Sequence, residues 1–263
     1  MKKFIAAFAL LFALTGCANN SASDPLPTDT NSASSKEIEV SSLDKLVVST
    51  YALPMDKTYD HIDAVKLTVK DGADDVTITI ANQVNSWIAS QIADFQANAK
   101  AAYKKDKKTS AVLEFNLTYD ESAISKRVYA LTFTDYRYEG GAHGSSVVTT
   151  FAFDLSDGSR FDLVSQIDTA KRAQFNELVA SALGEQAGTF GVDLDSKDTI
   201  ITTLNEDKNY SAWFASKTDG LAIIFQQYAV GPYSSGQPTI GLSWDQVKPF
   251  LKSDSILASE FAN

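Results

Sequence analysis

Two hydrophobic periods organise the chain. From Ile80 onward, apolar residues recur at spacings of three and four, as Ile80, Val84, Ile88, Ile92, Phe95 and Ala99. That spacing predicts an amphipathic helix of about six turns, its apolar line flanked by Trp87 and Gln91. The helix closes in the run Lys104-Lys105-Asp106-Lys107-Lys108. Cations there suit the negative end of the helix dipole, so helix-end solvation explains the run more simply than an anion site. Beyond it the period becomes two. Ala111, Leu113, Phe115, Leu117 and Tyr119 share one face of a strand, with Glu114, Asn116, Thr118 and Asp120 on the other. The next strand, 126–139, alternates Tyr129, Leu131 and Phe133 against Tyr136 and Tyr138. A third, 145–155, aligns Val147, Thr149, Phe151, Phe153 and Leu155. Short turns between consecutive strands predict an antiparallel meander, and Asp157-Gly158 marks its hairpin turn.

Strands at 45–53 and 62–69 precede the long helix, and Asp71-Gly72 ends the second. A second helix carries the stripe Phe175, Leu178, Val179, Ala182 and Leu183. Asp168 or Thr169 can cap it, and Gly184 and Gly188 are expected to end it. The stretch 193–204 reads as a short helix with loops. Strands at 211–217 and 221–230 flank the hairpin signal Thr218-Asp219-Gly220, and a short strand follows at 239–242. Ser243 can cap a last helix through Trp244, Val247, Phe250 and Leu251, which Pro249 shortens. The order predicts an α+β protein of two consecutive subdomains, 37–139 and 140–263, each an antiparallel sheet packed with a helix.

The first residues break this pattern. Met1-Lys2-Lys3 precedes an apolar run from Phe4 to Ala13, and Leu14-Thr15-Gly16-Cys17 follows. The run is shorter than the roughly 20 residues a membrane-spanning helix needs, and the layout is that of a secretory signal. Cys17 directly after small residues resembles the bacterial lipobox. That resemblance implies a signal peptide at 1–16 and a lipidated Cys17, anchored durably by acyl chains such as palmitate. Residues 17–36 then form a tether. Rich in Ser, Asn, Thr, Asp and Pro, with Leu26 its only large apolar residue, it cannot offset its chain entropy by burial. The expected location is the bacterial cell envelope, on the outer membrane or the outer face of the plasma membrane.

Composition narrows the rest. At 44% hydrophobic and 11% aromatic residues, the chain is no disordered protein. One Cys excludes a disulfide framework and a Cys-based structural zinc site. The formal net charge of -10 argues against nucleic acid, whose phosphates would repel it. Cleavage before Cys17 removes Lys2 and Lys3 and no acid, leaving 21 basic residues against 33 acidic ones, a net of -12.

Two segments stand apart from the scaffold. Tyr138-Glu139-Gly140-Gly141-Ala142-His143-Gly144 joins two strands. Its glycines permit positive φ or close backbone approach, and His143 can donate, accept or titrate. The simpler reading is a wide hairpin loop whose His bonds a neighbouring carbonyl. The second segment is Tyr228-Ala229-Val230-Gly231-Pro232-Tyr233-Ser234-Ser235-Gly236-Gln237-Pro238. Tyr, Ser and Gly are the composition of recognition loops; the simpler reading packs the Tyr rings on the sheet. The candidate ligand-binding residues are therefore Tyr138, Gly140, Gly141, His143, Gly144, Tyr228, Pro232, Tyr233 and Ser235.

These segments, with Phe153-Asp154-Leu155-Ser156-Asp157-Gly158 between them, resemble the extracytoplasmic domain shared by RsiV-type anti-sigma factors and PdaC-type peptidoglycan deacetylases. The resemblance covers about residues 40 to 255. It implies an envelope module that binds lysozyme in the anti-sigma factor and precedes a separate catalytic domain in the deacetylase. This chain shows neither a sigma-binding segment nor the paired-His ligands of such an enzyme, and Asp74-Asp75 is an acidic pair alone. The implied part is the recognition module.

No His-Glu-x-x-His, Gly-x-Ser-x-Gly or Walker-type segment occurs. Asp193-Leu194-Asp195-Ser196-Lys197-Asp198 suggests calcium but lacks the Gly and final Glu of an EF-hand loop. No catalytic residue, metal ligand or cofactor is assigned. The expected function is a lipid-anchored envelope binding protein, whose partner is a basic lytic enzyme such as lysozyme, or peptidoglycan. Opposite charge would steer a basic partner to it. The alternatives are a wall-glycan hydrolase or deacetylase-like enzyme using His143, and a structural envelope lipoprotein without a small ligand.

Overall fold

The structure, a computed structural model, describes residues 43–52, 60–105, 112–190 and 192–262. Cys17, the signal and the tether lie outside the described residues. The chain from Ile38 to Asn263 forms one compact unit. Its first part runs β1 (Leu46–Ala52), β2 (Asp60–Val69), α1 (Asp75–Lys105), β3 (Leu113–Ile124), β4 (Val128–Tyr138), β5 (Ser145–Asp154) and β6 (Arg160–Phe161). The second runs α2 (Arg172–Phe190), α3 (Lys197–Leu204), β7 (Trp213–Ser216), β8 (Gly220–Ile224), β9 (Thr239–Leu242), α4 (Trp244–Val247) and α5 (Ile256–Phe261). The α+β class with two sheets stands as expected.

β1 to β6 form one sheet in sequence order, and β7 to β9 a second. The meander from β3 to β6 is antiparallel. β2 and β3 are parallel, so the first sheet is mixed. The cause is α1: a helical crossover carries the chain back to the end where β2 began, so β3 leaves in the same direction. β5 and β6 lie beyond residue 139 in sequence yet pair into this first sheet.

α1 starts ahead of its apolar stripe because Asp74 caps it. The Asp74 carboxylate accepts the Thr77 backbone N–H at 2.7 Å. The stripe itself, Ile80 to Ala99, is buried against Leu67, Phe115, Leu131, Phe133 and Phe153 of the first sheet. Each large side chain so buried contributes about 1.5–3 kcal/mol. The opposite face of that sheet carries small residues, Ala123, Ala130 and Ala152, and joins a second core with Phe175, Val179, Trp213, Leu221 and Ile223. Thus the first sheet is the middle layer. α2 passes through Gly184 and Gly188 rather than ending there. Two glycines cost about 1 kcal/mol each in a helix, less than the burial of Phe175, Val179 and Leu183 gains. β8 is also shorter than expected. After Ile224, the Phe225 N–H bonds Pro238 at 2.8 Å and the chain turns at Gln226–Ala229. Ser243 caps α4 in a capping box with Gln246.

Candidate functional site

The His143 loop and the Tyr228–Tyr233 loop meet. β4 delivers Tyr136 and Tyr138 to the sheet face opposite α1. The chain then turns through Gly140 and Gly141 at φ +96° and +99°, a region that favours glycine. The Tyr138 hydroxyl donates to the Gly141 carbonyl at 3.0 Å and closes that turn. Gly144 follows. A Cβ there would lie 2.5 Å from the Tyr136 hydroxyl oxygen, so the missing side chain admits the Tyr136 ring. The His143 Nδ1 lies 3.0 Å from the Gly144 carbonyl oxygen.

The second loop is held as closely. Gly231 approaches the backbone at Asp193, where a Cβ would meet the carbonyl oxygen at 2.6 Å. The Ser235 hydroxyl donates to that same carbonyl. Pro232 precedes a short 3-10 turn, Tyr233–Ser235, closed by the Ser235 N–H on the Pro232 carbonyl at 3.0 Å. The turn aims Tyr233 at the first loop. Its ring stacks on His143 with centroids 3.9 Å apart and planes 23° from parallel. Its hydroxyl donates to the Gly144 carbonyl at 3.0 Å, joining residues 89 apart in sequence. Tyr228 extends the row, 5.5 Å from Tyr233. Tyr228 is 62% exposed, and its φ of +66° is the only positive value at a non-glycine among the described residues.

A row of three rings, Tyr228, Tyr233 and His143, thus lies across the two loops. β3 adds a polar rim. Glu114 and Asn116 are exposed and sit in register with Tyr138 and Tyr136 on the same sheet face. Beneath, on the α1 side of β4, Arg137 donates twice to the buried Asp135 and once to Gln91 at 2.7 Å. The bonds that the Asp135 carboxylate accepts hold the Arg137 guanidinium above its ordinary pKa. This pair fixes the end of β4 from which the first loop departs. Such a surface can stack flat groups and exchange hydrogen bonds with them through tyrosine hydroxyls and backbone.

Of the nine candidate residues, His143, Gly144 and Tyr233 touch directly, and Tyr228 and Ser235 lie on the same loop as Tyr233. Tyr138 and Gly141 shape the first loop. Gly140 contributes only its backbone, since a Cβ there would meet nothing within 4 Å. Pro232 is exposed at the start of the ring-bearing turn. Gln226 and Gln227 lie outside both segments picked from the sequence, Gln237 lies within the second without an assigned role, and Tyr136 reads from sequence only as a strand residue; the three glutamines bond the edge of β5. The residues that suggested calcium do other work. Ser196 caps α3, and the Asp195 N–H bonds Val230 at 2.9 Å. Among the described residues no three His, Cys, Asp or Glu side chains gather closely enough to hold a metal. Nor is any described helix long and apolar enough to cross a membrane.

Residues 67–146 match the family described as Deacetylase PdaC, and residues 162–245 match the protein family of unknown function DUF3298. Each match carries one of the two loops. A stretch of 143 residues, 54% of this chain, is 28% identical to the peptidoglycan-N-acetylmuramic acid deacetylase PdaC of Bacillus subtilis and spans 30% of that protein. A crystal structure of a DUF3298 family member from Bacteroides fragilis shares the fold at TM-score 0.53 and 12% identity, covering 81% of this chain and 96% of that one. A DUF3298 protein of Pseudomonas aeruginosa does so at TM-score 0.50 and 13% identity, covering 80% and 96%. The chain therefore carries a domain of the PdaC/DUF3298 type.

Proposed function

We propose that this protein is a lipid-anchored, exported binding protein of the bacterial cell envelope, and that the ring row recognises the wall or an enzyme that attacks it. The observation that carries the proposal is the stacking of His143 on Tyr233, which makes one surface of two loops distant in sequence. The relative in Bacillus subtilis is named for a peptidoglycan substrate, which supports a wall-related ligand. The acidic balance of the chain favours a basic lytic enzyme, of which lysozyme is the type, over the glycan itself. Lipidation at Cys17 would hold the site at the membrane surface.

The test is capture by the soluble chain from residue 37 onward, with basic lysozyme and purified peptidoglycan as probes at low salt. Capture of lysozyme that weakens as salt rises is the expected result. Failure to bind both probes overturns the proposal. For the anchor, wild-type protein should partition into detergent and take up labelled palmitate, and Cys17→Ala should do neither. The alternative of a hydrolase or deacetylase-like enzyme draws on the same relative and on the exposed His143 imidazole, oriented by the Gly144 carbonyl. It requires acetate or muropeptide release from peptidoglycan that His143→Ala abolishes.

A further inference from the structure

β5 has an open outer edge over its first half, and the way that edge is closed assigns a role to residues outside the ring row. β6 covers only Ala152 and Phe153. The Thr150 N–H bonds the Ser211 carbonyl at 2.8 Å. At Val148 no strand of the described residues is present on this side. The Gln226 side-chain amide takes its place: Oε1 accepts the Val148 N–H at 2.9 Å and Nε2 donates to the Val148 carbonyl at 2.6 Å. That is the bonding of a peptide group in a β-ladder, supplied by a side chain. One step along, Gln227 Oε1 accepts the Ser146 N–H at 3.1 Å and Gln237 Nε2 donates to the Ser146 carbonyl at 3.2 Å. Gln237 also lies 3.4 Å from Gln226 Oε1.

The three glutamines bracket the second loop. Gln226 and Gln227 stand just before Tyr228, and Gln237 just after Gly236. Their partners, Ser146 and Val148, stand just after His143 and Gly144. Both ends of the tyrosine loop are therefore fastened to the strand that leaves the histidine loop. We propose that Gln226 is the positioning residue of the recognition surface: its amide replaces a strand at the edge of β5 and sets the Tyr228–Tyr233–His143 row before any ligand arrives. The inference rests on reading these loops as the binding site. A row fixed in the free protein loses little further conformational entropy on binding.

The experiment exploits the chemistry of a carboxyl group. A protonated Glu has one O–H donor and one carbonyl acceptor, so it can bond Val148 as the amide does. An ionised Glu has no donor, and its charge faces the Val148 carbonyl. Amide exchange is followed by mass spectrometry on the full chain, as wild type, Gln226→Glu and Gln226→Met, each corrected for intrinsic rate at pH 4.5 and 7.5. At pH 7.5 both variants should exchange about tenfold faster than wild type across Ser146–Val148 and across Tyr233–Gly236, as expected for two lost hydrogen bonds. At pH 4.5 protection should return in Gln226→Glu and not in Gln226→Met. Lysozyme or peptidoglycan capture, taken relative to wild type at each pH, should follow the same pattern. Unchanged exchange at Tyr233–Gly236 in both variants, or no recovery in Gln226→Glu on acidification, overturns the positioning role. If wild type captures neither probe, the functional reading falls while the exchange results still decide whether the clamp exists.

Discussion

Tyr228 holds its ring 5.5 Å from that of Tyr233 while its own backbone sits at φ +66°. A left-handed conformation costs a residue with a Cβ about 1–2 kcal/mol. Burial does not repay it here, because the side chain is 62% exposed. Among the described residues the ring stays open to solvent beside Tyr233. Asn tolerates this conformation better, so Tyr228→Asn should raise stability by about 1 kcal/mol, or roughly 2–4 °C in melting temperature. It should also reduce ligand capture. Thermal unfolding and capture measured side by side test both parts; a lower melting temperature would refute the strain, and undiminished capture would remove Tyr228 from the surface.

Gly220 and Gly241 lie in the neighbouring strands β8 and β9, Gly241 opposite Ala222, and should respond oppositely to Ala. At Gly220, φ is +87° and a Cβ would lie 2.1 Å from the Leu242 carbonyl oxygen. That atom belongs to backbone in β9 and cannot swing aside. Gly220→Ala should cost about 3 kcal/mol or more. At Gly241 a Cβ meets nothing within 4 Å. Gly241→Ala should be neutral or stabilise by up to about 1 kcal/mol, through a less flexible unfolded chain. Urea denaturation of the two variants gives the comparison.

The two loops were legible from composition alone: glycines around a His, and tyrosines around a Gly-Pro turn. That they share one surface was not, because the stacking of His143 on Tyr233 depends on sheet geometry and leaves no local mark. The glutamines were still less visible. A polar residue beside a loop reads as solvated unless its partner is known, and Val148 is 78 residues from Gln226. The period-two and period-3.6 patterns located the strands and helices because burial on one face imposes them. They carry no information on which strand lies beside which. The parallel pairing of β2 with β3 follows instead from the crossover through α1. Asp74 was readable only as one of two neighbouring acids until the Thr77 N–H on its carboxylate showed it to be a cap.

Thr150 links the two sheets through a single hydroxyl. It accepts the Trp213 N–H at 2.9 Å, donates to the Trp213 carbonyl at 2.9 Å, and lies 2.7 Å from the Thr132 hydroxyl. All three residues are buried. Thr150→Val keeps the shape and leaves the Trp213 N–H without an acceptor, which should cost about 2–3 kcal/mol. Thr132→Val removes the contact to that oxygen and a longer bond to the Trp213 carbonyl at 3.3 Å, but Thr150 still satisfies both Trp213 groups, so about 1 kcal/mol is expected. Thr150→Ser should lie close to wild type. Equal losses for both valine variants in denaturant titrations would contradict this ordering.

Asp74 gives the stability a defined dependence on acid. Its pKa is held below the ordinary 3.8, chiefly by the Thr77 backbone N–H, with further lowering by the Thr77 hydroxyl and by Lys45. A carboxylate whose folded pKa is depressed stabilises fully above its unfolded pKa, and loses that contribution as pH falls through the folded value. At pH 6, Asp74→Ala should therefore be less stable than wild type by about 1 kcal/mol, the usual worth of a cap. The gap should narrow as pH is lowered from 5 towards 3. Asp74→Asn offers the same acceptor without a charge, so its advantage over Asp74→Ala should stay constant over that range. Urea unfolding of the three proteins at each pH measures both differences. A gap between wild type and Asp74→Ala that widens on acidification would show that Asp74 is not stabilised as the carboxylate cap of α1.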